Sequence, residues 1–253
     1  MRRIMIIIAY EGTAYAGFQI QPTAPTIEGI LNATLTQCLH EDIRIIGASR
    51  TDAGVHALGN VAVFDTESRV PADKVSIMLN QHLPMDIRIM DSKEVSVDFH
   101  PRKTSCRKTY EYKIQNTRTY NPLLRHDTYF YYRPLDAIAM DEAAKRLIGE
   151  HDFTSYASIH KSTLTSVRTI YDASVKREGD IITITLTGNG FLYNMVRIIA
   201  GTLIEVGQGK LSADDVTRIL EAKDRDEAAD TAPAVGLTLK GIVYLKPEKI
   251  LFS

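Results

Sequence analysis

Cysteine is scarce in this chain: Cys38 and Cys106 are the only two in 253 residues. They form no C-x-x-C pair, and neither lies near a histidine pair with zinc-like spacing. A disulfide framework and a zinc ribbon are therefore both excluded as organising features, and two reduced thiols are the plain expectation. Charge of one sign is also lacking. Thirty Lys/Arg stand against 31 Asp/Glu, a formal −1. A surface for a polyanion must then come from local clustering rather than a global basic bias. No apolar stretch approaches the roughly 20 residues that cross a bilayer. The opening "MRRIMIIIAYEG" has two arginines and an apolar run. That run stops at Tyr10-Glu11, too short for a secretory signal's apolar core and cleavage site. The cytoplasm is the expected compartment.

Phosphate and metal boxes are missing too. "GNGF" (188–191) lacks both the G-x-G-x-x-G and the Walker spacing, and reads as a turn before a helix. The histidines at 40, 56, 82, 100, 126, 151 and 160 form no H-x-x-x-H or other metal-ligand group. No Ser-His-Asp or Cys-His arrangement can be inferred from spacing. What is present is 44% hydrophobic and 24% charged, as in globular proteins, on a chain long enough for two small domains.

The apolar pattern alternates between strand and helix. "RIMIIIAY" (3–10) is a continuous apolar run, expected as a strand covered on at least one face. A Gly- and Pro-rich loop follows. Thr26 then opens a helix with Ile27, Ile30, Leu31, Leu35 and Leu39 at helical spacing. Strands are predicted over 43–49, 58–66 and 94–102, with a helix starting at Pro71. In the second half, 107–116 and 128–134 read as strands and 135–151 as a helix. Residues 167–178 and 180–188 read as a hairpin about Gly179-Asp180. A long apolar helix spans 191–209, a serine-capped helix 212–224, and a closing strand 241–245. Acidic residues gather at 214–230 in what reads as a solvated helix and loop. Both halves thus mix strands and helices as β-α-β-β units, which predicts an α+β architecture of two ferredoxin-like halves. The division falls near 102–106. No low-complexity linker separates the halves, so a shared sheet or a tight interface is expected.

Residues 100–135 depart most from the average. Eight cations (Arg102, Lys103, Arg107, Lys108, Lys113, Arg118, Arg125 and Arg133) face only Glu111 and Asp127, and seven aromatics are interleaved. Cations can neutralise phosphates and aromatic faces can stack on unpaired bases. A strand pair with a Tyr-rich core face and a charged outer face would produce the same composition.

"GASRTDAGVHALG" (47–59) crowds Arg50, Thr51, Asp52 and His56 among small residues. It follows a strand, so it is a turn. Arg50 and Asp52, two apart, project to one side if the strand persists. A carboxylate beside cations stays ionised, which suits a nucleophile or general base. An Asx-turn or helix N-cap is the competing role for an Asp before Gly. Arg197 changes the balance. It sits in the apolar "FLYNMVRIIAGTL", beside Ala200 and Gly201, with no acid within a helical turn. It needs an anion from elsewhere or a route to water. Asp52, Glu28 and a substrate phosphate are the candidates. His56 is expected to hold the turn by hydrogen bonding rather than act as a base.

Taken together, these segments resemble the tRNA pseudouridine synthase A family along nearly the whole chain. The resemblance rests on "AYEGTAYAGFQIQP…TIEG", "SRTDAGVHA", "FHPRKTSCRKTYEY", "HDFTSY", "GFLYNMVRIIAGTLIEVGQG" and "APAVGLTLKGIVY", in that order. Phe18 stands where Trp is usual and Ser49 where Gly is common; neither removes a chemical group that the reaction needs. The resemblance implies isomerisation of uridine to pseudouridine at positions 38, 39 and/or 40 of the tRNA anticodon stem-loop. It implies Asp52 as nucleophile, Tyr110 stacked on the target base, Arg197 paired with Asp52, and Arg50 beside it. It implies a homodimer that uses no cofactor and no metal. The fold implied is two ferredoxin-like halves forming a continuous, mostly antiparallel sheet with helices packed on it and an active-site cleft between the halves. Residues 1–103 would carry the Asp motif, and 104–253 the Tyr and Arg motifs.

Overall fold

The computed structural model describes residues 1–158 and 165–245. His160, one of the histidines considered for metal binding, lies outside them. The chain forms two compact units, one of Met1–Cys106 with the chain from Leu239, the other of Arg107–Thr238. Among the described residues the strands are β1 (Arg2–Tyr10), β2 (Ile46–Gly47), β3 (His56–Thr66), β4 (Ile87–Val95), β5 (Cys106–Gln115), β6 (Tyr129–Phe130), β7 (Gly149–Asp152), β8 (Val167–Glu178), β9 (Ile181–Gly188) and β10 (Leu237–Tyr244). The α-helices are α1 (Ile27–Leu39), α2 (Val75–Asn80), α3 (Ala137–Lys145), α4 (Met195–Gly207) and α5 (Ala213–Ala222). β5 and β6 run parallel, and the other pairs considered below are antiparallel. The α+β, mostly antiparallel class expected from the sequence holds.

In the first unit the strands lie in the order β4-β1-β3-β10, with β2 also paired to β3 and with α1 and α2 as connections. That is the split β-α-β of a ferredoxin-like fold. β1 is its central strand, with Ile4 opposite Phe64 of β3 and Glu94 of β4. Ile4, Ile6 and Ile8 are fully buried on one face. Met5, on the other face, joins Val61, Val63, Val95 and Phe99, with Ile46, Ile242 and Tyr244 packed against them. Burial on both faces explains why β1 reads as an unbroken apolar run rather than an alternation. α1 is set by its Thr26 cap, whose side chain accepts from the Gly29 amide at 3.2 Å, and it ends on His40 in the left-handed region.

The second unit has the order β5-β9-β8-β7, with β6 on β5. β8 and β9 form the hairpin expected about Gly179, whose φ is +57°. Tyr110 of β5 faces Leu186 of β9, and Tyr112 faces Ile184. α4 is buried along most of its length. α5 opens on a capping box in which Ser212 and Asp215 bond each other's backbone.

Several predicted elements are shorter than their apolar patterns. The strand over 43–49 shrinks to β2, because α1 side chains take its backbone donors: Ile43 N–H bonds Thr36 Oγ1 and Ile45 N–H bonds Asn32 Oδ1. The strand placed at 94–102 lies earlier, at β4, and turns at Ser96 and His100 follow it. Of 128–134 only β6 pairs, since the Asn116 side chain bonds the carbonyls of Tyr131 and Arg133. The helix over 135–151 stops at Lys145, and Gly149, with φ +121°, opens β7. α4 starts at Met195 rather than 191, because Asn194 holds a left-handed backbone.

Candidate active site

Asp52 lies in the turn between β2 and β3, and a second loop locks that turn from behind. Phe18 N–H donates to the Thr51 carbonyl at 2.9 Å, and Gly54 N–H to the Tyr15 carbonyl at 3.3 Å. Val55 N–H closes the turn on the Asp52 carbonyl at 3.1 Å. The loops approach so closely that only glycine fits at position 17. A Cβ there would meet the Thr51 carbonyl oxygen at 2.7 Å and the Asp52 carbonyl carbon at 3.1 Å, and its φ is +91°. The Phe18 ring, 1% exposed, lies where a Cβ on Gly47 would be. A bulkier aromatic at 18 would need that space enlarged.

Burial alternates along the approach to the turn. Ser49 and Thr51 are buried, Arg50 is exposed and Asp52 is half-buried. The strand on which a common side for Arg50 and Asp52 was conditional ends at Gly47. Arg50 reaches Gln19 Oε1 at 3.4 Å. Glu28, a candidate partner for Arg197, accepts the Ile20 amide at 2.9 Å. His56, 5% exposed, makes the hydrogen bond expected of it: Nδ1 accepts Gly12 N–H at 3.0 Å. That nitrogen is also 3.6 Å from Glu11 Oε1. A ring nitrogen accepting from an amide carries no proton, so this proximity is not an ion pair while the imidazole is neutral.

In the second unit Tyr110 and Arg197 have separate settings. Tyr110 is 9% exposed, and its ring packs edge-on against Phe191, with centroids 5.1 Å apart and planes at 78°. That contact fixes the ring plane. Arg197 projects from α4, where Nε donates to the Ala232 carbonyl at 2.7 Å and Nη1 to Asn194 Oδ1 at 2.9 Å. The space expected beside Gly201 is filled by the 230–232 backbone, since a Cβ there would overlap the Asp230 carbonyl oxygen. Tyr112, fully buried, donates to the Pro233 carbonyl at 2.8 Å. Burial pushes its phenol well above the ordinary range, and the Arg197 guanidinium acts against this.

The basic, aromatic segment divides into the two roles that its composition left open. Tyr110 and Tyr112 enter the core, whereas Arg107, Arg118, Arg125, Tyr120, Tyr132 and Arg133 are exposed. Arg107 lies over the Tyr171 ring at 4.7 Å, and Arg133 over Tyr132 at 5.6 Å. Lys113 pairs with Asp127 at 3.2 Å. Among the described residues no group of three or more His, Cys, Asp or Glu is placed to hold a metal ion, and no helix is long and apolar enough to cross a membrane.

Two residues of the first unit escaped sequence reasoning. Tyr10 Oη lies 2.7 Å from Thr51 Oγ1, and Asn60 Nδ2 donates to Tyr10 Oη at 3.2 Å. The signal for Asn60 was an amide inside the apolar "LGNVAVF": a buried carboxamide needs several partners.

A family described as tRNA pseudouridine synthase matches residues 6–102 and 143–244. The chain is 47% identical over 244 residues to the tRNA pseudouridine synthase A of Acetivibrio thermocellus, covering 96% of this chain and all of the relative. It is 48% identical over 248 residues to that of Brevibacillus brevis, covering 96% of this chain and all of the relative. It is 45% identical over 248 residues to that of an Exiguobacterium strain, covering 98% and 100%.

Proposed function

This chain belongs to the tRNA pseudouridine synthase family, and on that premise we propose that it isomerises uridine to pseudouridine at positions 38, 39 and/or 40 of the tRNA anticodon stem-loop, with Asp52 as nucleophile. The reaction breaks the bond from C1′ to N1, turns the uracil and joins C1′ to C5. C5 loses a proton and N1 ends with one, so the reaction is redox-neutral and needs no electron carrier. Asp52 can attack either C1′ or C6 of the target; both routes use an ionised carboxylate on a fixed backbone.

The observation that carries this assignment is the locked turn. Two loops and a glycine without room for a Cβ hold the Asp52 backbone, while its carboxylate stays half-buried rather than sealed in the core. A nucleophile requires both properties, since misplacement by about 1 Å can cost about 100-fold in rate.

The remaining roles follow from the same reading. The target uridine is flipped from its stack, at a cost of a few kcal/mol. Tyr110 stacks on it and returns roughly 1–3 kcal/mol. The phenol of Tyr110 assists removal of the C5 proton. Arg197 is the ion-pair partner that keeps Asp52 ionised, and Arg50 steadies the flipped nucleotide. Residues 1–103 supply the nucleophile and 104–253 the Tyr and Arg motifs. The exposed cations of 100–135 grip phosphates. The enzyme works in the cytoplasm as a homodimer, without metal or cofactor.

Release of tritium from tRNA labelled at uridine C5 tests the activity directly. Release from anticodon stem-loop positions is expected. Tight tRNA binding with no release from any tRNA would overturn the catalytic reading in favour of a binding protein.

A further inference from the structure

We propose that Tyr10 and Asn60 are positioning residues for Asp52, acting through Ser49 and Thr51; this rests on the reading of Asp52 as nucleophile. Beyond β2, Ala48 N–H still reaches the Val61 carbonyl at 2.7 Å. At Ser49 the backbone ladder ends and the Asn60 side chain replaces it. Asn60 Oδ1 accepts the Ser49 N–H at 3.3 Å, and Nδ2 donates to the Ser49 carbonyl at 3.0 Å. One carboxamide thus holds both polar backbone groups of Ser49, as a neighbouring strand would.

The second hydrogen on Asn60 Nδ2 goes to Tyr10 Oη. Tyr10 Oη in turn lies 2.7 Å from Thr51 Oγ1, a bond in which either hydroxyl can be the donor. Asn60 is 0% exposed, Tyr10 4% and Thr51 7%. The chain from β1 through β3 to the turn is therefore one buried network. It draws Ser49 and Thr51 inward. Arg50 stays exposed and Asp52 half-buried, so a substrate can reach both.

A network of this kind acts on the aim of the Asp52 carboxylate by holding the backbone that leads into its turn. Its removal is expected to slow the chemical step without weakening tRNA binding. Single-turnover rates with saturating enzyme, tRNA dissociation constants and thermal melts on Tyr10→Phe, Thr51→Val and Thr51→Ser provide the test. Tyr10→Phe and Thr51→Val are expected to lose tenfold or more in rate, with dissociation constants within twofold of wild type. Thr51→Ser keeps the hydroxyl and is expected to remain within threefold of wild type. The double variant Tyr10→Phe/Thr51→Val is expected to be no slower than the slower single one, because both break one link.

Wild-type rates in both deletions would overturn the proposal. So would a Thr51→Ser variant as slow as Thr51→Val, or rate losses that merely follow lost binding or a lowered melting temperature. If Tyr10→Phe fails to fold, the Thr51→Val and Thr51→Ser pair decides the matter by itself. Asp52→Ala, measured alongside, separates the two failures: turnover by that variant would sink the nucleophile assignment, whereas an inert Asp52→Ala beside fully active deletions would sink the network alone.

Discussion

Arg197 and Ala232 hold each other at two points: the guanidinium Nε donates to the Ala232 carbonyl at 2.7 Å, and the Ala232 N–H donates to the Arg197 carbonyl at 3.2 Å. An arginine in an apolar helix is thereby half explained by neutral acceptors. Its charge is available for the anion role proposed above only in addition to a structural one. Arg197→Lys removes the fixed fork and is expected to destabilise the protein by roughly 1–3 kcal/mol. At about 2–4 °C per kcal/mol for a chain of this size, a melt resolves that loss. Turnover is expected to fall further than the lost stability explains. A variant with full turnover and a lowered melting temperature would leave Arg197 a structural residue only.

Asp52→Ala is expected to abolish turnover while leaving tRNA binding largely intact, because a carboxylate in the role proposed above attacks the substrate rather than grips it. Tritium release and filter binding on the same preparation check both halves. Residual turnover near wild type would remove Asp52 from the mechanism.

Gly17→Ala should damage the site from a distance of two loops. The new methyl would lie 2.7 Å from the Thr51 carbonyl oxygen on a backbone at φ +91°. A left-handed backbone costs an ordinary residue about 1–2 kcal/mol, and the overlap must also be relieved by moving the Asp52 turn. A drop of tenfold or more in turnover, with a modest fall in melting temperature, is expected. Unchanged kinetics would show that the turn tolerates displacement.

Arg107→Ala tests the exposed part of the basic segment. Its exposed guanidinium lies over the Tyr171 ring, with no ion pair among the described residues, so it is placed to meet a phosphate. Weaker tRNA binding is expected, with the slope of log affinity against log salt reduced by about 1. An unchanged slope would remove Arg107 from the phosphate contacts.

The apolar patterns made most of the secondary structure legible. β1, α1, the β8–β9 hairpin and α5 lie close to where periodicity and caps put them, because each is determined by residues within itself. The elements that came out short, 43–49 and 128–134, have strand-like sequences, but Asn32, Thr36 and Asn116 reach from other elements to take their backbone groups. Local pattern cannot register a competitor that is distant in sequence. Of the candidate site, the motif points to Asp52 and Arg50, and the anomaly of a cation in an apolar helix points to Arg197. Tyr10 and Asn60 fall within the expected strands 3–10 and 58–66, and their roles depend on partners that folding brings to them.

By itself, then, the sequence determined the class of fold, the family, and a short roll of groups able to do the chemistry. Those follow from residue type and spacing, which are carried along the chain. Tertiary structure decided which side chains hold the Asp52 turn, where the 230–232 segment lies against α4, and which aromatics of 100–135 are core. Each of these depends on the close approach of segments tens of residues apart, through hydrogen bonds and excluded volume that no local window contains.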